Sequence, residues 1–184
     1  MYRQRFASRL AVGASAMTLG IGVAACGGSG SSFDNSTVAA IKPFSAAGEN
    51  AKYVKFGEEA LSAQREAANL VLEENLTARA AGDFAKQCAS LNFKTVEEVT
   101  GSSKPNARSE CPQSLQTFAE PLNQTKGQRA DMMDEPIASF RVKGKQGYAL
   151  FHGKDAKDYA MPMEMEGGKW MVGALLTTEL ESSP

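Results

Sequence analysis

Histidine occurs once in these 184 residues, at His152, and tryptophan once, at Trp170. A single imidazole excludes a centre built on several histidines, and the order of residues supports no His-Asp pair or Ser-His-Asp set. Cysteine is scarce as well: Cys26, Cys88 and Cys111, none of them in a C-x-x-C arrangement, which argues against thiol–disulfide exchange chemistry. No sign of charge dominates, with 20 basic against 21 acidic residues. No basic cluster is interleaved with aromatic residues, so nucleic acid is not an expected partner. The uncharged run from Leu10 to Ala25 falls short of the roughly 20 apolar residues that span a bilayer.

What is present at the N-terminus reads as an export signal. Arg3, Arg5 and Arg9 precede that short apolar run, which ends in small residues beside a cysteine. The competing reading, a buried or membrane-spanning helix, is weakened by Gly13, Gly20 and Gly22. The stretch Val23, Ala24, Ala25, Cys26 resembles the lipobox of bacterial lipoproteins. That resemblance implies a diacylglycerol on the Cys26 sulfur and cleavage that leaves Cys26 as the new N-terminus. Two acyl chains anchor stably where one binds marginally. The expected layout is a leader at 1–25, a Gly/Ser-rich tether at 26–47 and one domain at 48–184. Losing the three leader arginines leaves 17 basic against 21 acidic residues, an acidic exported chain.

With Cys26 assigned to lipid, Cys88 and Cys111 form an even pair, which an oxidising compartment turns into a disulfide. Closing a loop of about 24 residues stabilises by roughly 3 kcal/mol in the loop-entropy picture.

Helix formers run from about Ala51 to Ala81, with Leu61, Ala68, Leu72 and Leu76 on one broad face, and Gly82 ends the run. Asp83 suits the N-cap of a second helix carrying Phe84, Cys88 and Leu91. The spacing of Thr95 and Glu98 suggests a capping box for a helical turn ended by Gly101. Pro112 is expected at the first turn of another helix that carries Leu115, Phe118 and Ala119 inward and ends near Pro121. Beyond Glu135 the period becomes two. One strand places Ala138, Phe140 and Val142 on a face, a second runs through Tyr148 to His152, and a third alternates Tyr159, Met161, Met163 and Met165. Pro162 in the third predicts an edge position or a bulge. A Gly167–Gly168 turn returns the chain through Trp170, Val172 and Ala174. Helices first and an antiparallel sheet second make an α+β layout with the helices on the sheet.

This element order resembles the nuclear-transport-factor-2-like (ketosteroid-isomerase-like) cone fold, and small actinobacterial lipoproteins built on it. The matching residues are Ala81, Gly82, Asp83, Phe84 and Cys88, and Gly168, Lys169, Trp170 and Val172. The resemblance implies a curved antiparallel sheet under N-terminal helices, over roughly residues 50 to 178. Enzymes of that fold use acidic, His or Tyr side chains in the open end of the cone; this chain has one histidine, His152, and its Asp83 matches a helix-capping position, which counts against a carried-over activity.

A concave apolar site within the sheet would be lined by Phe140, Tyr148, Leu150, His152, Tyr159, Met161, Trp170 and Val172. The alternative is that these side chains fill the core. Met161, Met163 and Met165, with His152, would suit a soft metal such as Cu(I), although Met is also an ordinary core filler. No cofactor and no catalytic residue is assigned. The expected role is non-enzymatic binding of a protein partner or a small apolar ligand by a protein lipid-anchored on the extracytoplasmic face of the cell membrane. The alternatives are a small-molecule enzyme using a pocket near His152, or copper binding.

Overall fold

In a computed structural model of the chain, the described residues are 43–119 and 132–181. The leader, Cys26, most of the tether and Pro121 lie outside them. A 3-10 turn at Gly48–Asn50 leads into α1 (Ala51–Val54), β1 (Glu58–Glu59), α2 (Ser62–Ala81), α3 (Phe84–Ser90), α4 (Phe93–Thr100) and α5 (Ala107–Ala119). The strands β2 (Ser139–Lys143), β3 (Gln146–His152), β4 (Asp158–Glu166), β5 (Lys169–Val172) and β6 (Thr178–Leu180) follow.

The expected continuous helix from Ala51 to Ala81 is broken. Gly57 takes φ +44°, and a Cβ there would lie 2.1 Å from the Val142 carbonyl oxygen, so the chain passes against β2 at a point only glycine fits. The helix restarts at Ser62, where Gln64 Oε1 accepts from the Leu61 backbone N–H at 3.3 Å. Leu61 therefore caps the helix from outside and is 75% exposed, whereas Ala68, Leu72 and Leu76 are buried as the period required. Gly82 ends α2 at φ +70°, and Asp83 Oδ1 accepts from Lys86 N–H as the N-cap of α3. The cap of α4 is Asn92, three residues before Thr95, whose N–H it accepts at 2.8 Å. The helix α5 begins five residues before Pro112, which sits inside it. There the ring forfeits one helical hydrogen bond. That shift in register buries Cys111 and Leu115 and leaves Phe118 53% exposed, against expectation.

The Cys88–Cys111 disulfide is present and joins α3 to α5. Arg108 reinforces it by donating to the Cys88 and Leu91 carbonyls at 3.0 and 2.9 Å, satisfying acceptors left over at the end of α3. Leu91 bridges to Val172 of β5, and Asn92 N–H donates to the Val172 carbonyl. The stapled helices are thus seated on the last hairpin.

All strand pairs are antiparallel, in the order β1-β2-β3-β4-β5, with β6 also on β4. The sheet is open. It does not close or curl strongly into the expected cone, because its terminal strands do not pair with each other. One edge of β4 is shared: β6 takes Asp158–Ala160 and β5 takes Met163–Glu166. Pro162 falls in the gap between them. Its carbonyl accepts from Gly173 N–H on that same edge, so its missing N–H is lost where no strand needs it. Pro162 is accordingly accommodated within an interior strand, not at an edge. The Gly167–Gly168 turn has positive φ at both residues, as a two-residue hairpin of the observed register requires.

Alternation along the strands gives the sheet two different faces. Phe140, Ala149, Phe151, Tyr159, Met161 and Trp170 join the core under the helices, together with Leu72, Leu76, Leu91 and Val96. On the other face Leu150, Ala160 and Leu180 form a smaller cluster, covered by Phe44, Tyr53 and Val54. Residues 43–56 are therefore a strap across the outer face.

Candidate functional site

His152 and Asp158 end β3 and begin β4 in direct register across the hairpin. Their side chains meet at 2.7 Å between Nδ1 and Oδ1. An ionised carboxylate only accepts, so Nδ1 carries the hydrogen of this bond. Nε2 is buried without a hydrogen-bond partner. The Phe44 ring stacks on the imidazole, with centroids 4.9 Å apart and planes at 13°.

The connecting turn is tightly organised. Tyr159 Oη donates to Asp155 Oδ2 at 2.8 Å, Asp155 Oδ1 accepts from Lys157 N–H, and Ala156 adopts φ +64°, a conformation that costs a non-glycine residue. Lys157 pairs with Glu179 of β6 at 2.8 Å, and that hydrogen bond raises its pKa above the ordinary lysine value.

A His–carboxylate pair of this geometry is how a general base is oriented. A base must also reach its substrate. Three clefts on the described surface lie elsewhere. One of about 250 Å³ is lined by Glu73, Leu76, Thr77, Met132 to Pro136 and Lys154. Another of about 390 Å³ lies over Leu70, Ala78 and Ala81 between α2 and α3. A third of about 180 Å³ has Tyr148, Pro162 and Glu164 among its walls. None is lined by His152.

The eight residues expected to line one site do not converge. Phe140, Tyr159, Met161, Trp170 and Val172 are buried in the core beneath the helices, and Tyr148, Leu150 and His152 belong to the strap-covered face. Met161 and Met163 are buried, Met165 packs against the same core, and all three point away from His152. The sulfur row and the imidazole are separated by the sheet itself, so the copper reading has no geometry to rest on. Among the described residues, no group of three or more His, Cys, Asp or Glu side chains is placed to hold a metal ion.

Sequence reasoning singled out His152 and missed Asp158, Phe44 and Asn50. The signal for Asp158 was the turn-forming stretch Gly153 to Lys157, which puts His152 and Asp158 opposite each other once both flanking runs are strands.

No family model, curated protein or solved structure matches this chain. With the open sheet, this overturns the resemblance to cone-fold lipoproteins: what stands is a small α+β domain whose helices pack on an antiparallel sheet.

Proposed function

We propose that the chain is an exported protein, lipid-anchored through Cys26 on the extracytoplasmic face of the cell membrane, whose folded domain is a non-enzymatic module for binding a protein partner. The observation that carries this reading is the Cys88–Cys111 disulfide. It suits an oxidising compartment and leaves Cys26 as the one cysteine of three outside it, next to the basic and apolar segments of an export signal. Among the described residues no helix is long and apolar enough to cross a membrane; in this reading the acyl chains on Cys26 supply the anchor. A protein partner is favoured over a small apolar ligand because the side chains expected to line a pocket are spent on two packed faces.

The test is fractionation of bacteria producing the full chain. Wild type should sediment with membranes and require detergent for extraction, whereas Cys26→Ser should leave the detergent-dependent fraction or retain its leader. Identical fractionation of the two proteins, with the leader removed from both, would reject the anchor.

A further inference from the structure

The strap is held by side-chain-to-backbone bonds and aromatic contacts. Within residues 43–56 only Asn50 is buried, and it is polar. Its side-chain amide works as a two-point clamp: Nδ2 donates to the Glu181 carbonyl at 2.7 Å, and Oδ1 accepts from Glu181 N–H at 3.0 Å. At the far end Arg141 donates to the Phe56 and Gly57 carbonyls at 2.9 and 2.7 Å. Aromatic contacts add to these fastenings, Phe44 on His152 and Tyr53 and Phe56 edge-on to Tyr148. The strap's own backbone bonds are internal, Asn50 to Ala47, Lys55 to Ala51 and Phe56 to Tyr53. It leaves the domain at Gly57, whose positive φ marks a sharp change of chain direction.

A segment with so little buried apolar surface and so few fastenings belongs to the low end of the local stability range. We propose that residues 43–56 form a gate that opens and closes over the outer face of the sheet without unfolding the rest of the domain. Opening at Gly57 bares the strip of Tyr148, Leu150, Ala160 and Leu180 and frees His152 Nε2, a ring nitrogen that the closed state buries without a hydrogen-bond partner. The gate is thus a device for concealing a second surface, with the His152–Asp158 pair beneath it. This inference rests on the strap's geometry and holds whether or not Cys26 carries lipid.

His152 being the sole histidine makes the test direct. The full chain in detergent is treated with diethyl pyrocarbonate, modification of His152 is followed by mass spectrometry, and backbone hydrogen exchange is read in parallel. Asn50→Ala should raise the rate of His152 modification about tenfold, the factor that corresponds to losing a hydrogen-bonded clamp. Exchange in β3, β4 and α2 should stay at its wild-type rate. Phe44→Ala, which removes a side chain packed on the outer-face cluster and not on the core beneath the helices, should raise His152 reactivity in the same way. An unchanged His152 rate in both variants would overturn the proposal. So would a rise matched by equal acceleration of core exchange, which would mean that the strap opens only with the whole domain.

Discussion

The two faces of one sheet are stabilised by different means. Under the helices, Phe140, Phe151, Met161 and Trp170 interlock with α2 and the α3–α4 junction, and a disulfide holds the outer helix in place. On the other face three small or medium apolar side chains, a His–Asp pair and a few side-chain-to-backbone bonds hold a segment of only fourteen residues, 43–56. The helix face determines whether the chain folds, and the strap face determines what the folded chain exposes. Both sides of β3 and β4 are buried, yet only one has the burial that resists local opening.

The contrast can be broken most severely at Phe140, which is fully buried and meets Trp170 edge-on at 4.8 Å. Phe140→Ala should cost about 3 to 5 kcal/mol in urea unfolding. Replacing Cys88 and Cys111 together by alanine should cost about 3 kcal/mol by the same measurement, with increased exchange concentrated in α5. A loss near zero would show that α5 is held by its packing alone. Asn50→Ala, on the strap face, should cost about 1 to 2 kcal/mol, confined to residues 43–56 and β6. The smallest effect sharpens the comparison from the other side. Ala156→Gly relieves a positive φ in the turn beside His152 and should raise stability by about 1 kcal/mol, visible as a higher melting temperature.

Legibility in the sequence followed the same division. The stops at Gly82 and Gly101, the Asp83 cap, the Gly167–Gly168 hairpin and the period-two strands were all readable, because each is a local rule with a local residue to obey it. The disulfide was readable by parity once Cys26 was set aside. The short strands β1 and β6 were not, since two or three mostly exposed residues carry no periodic signal. Pro112 misled because its usual place at the first turn of a helix outweighed five ordinary residues before it. The openness of the sheet depends on β5 and β6 dividing one edge of β4, a pairing between distant residues that local patterns do not encode. The candidate site was half legible. His152 stood out by its rarity, but with both faces of β3 buried the alternation that would assign side chains to faces disappears, so residues from two faces were read as one pocket.

The proposed fates of the three cysteines, lipid on Cys26 and a disulfide between Cys88 and Cys111, are separated by the intact mass of the membrane-extracted protein under non-reducing conditions. The predicted species begins at Cys26, carries the added mass of a diacylglycerol, and gains two alkyl groups from a thiol reagent only after reduction. An uncleaved chain, or a free thiol at Cys26 that alkylates without reduction, would contradict it.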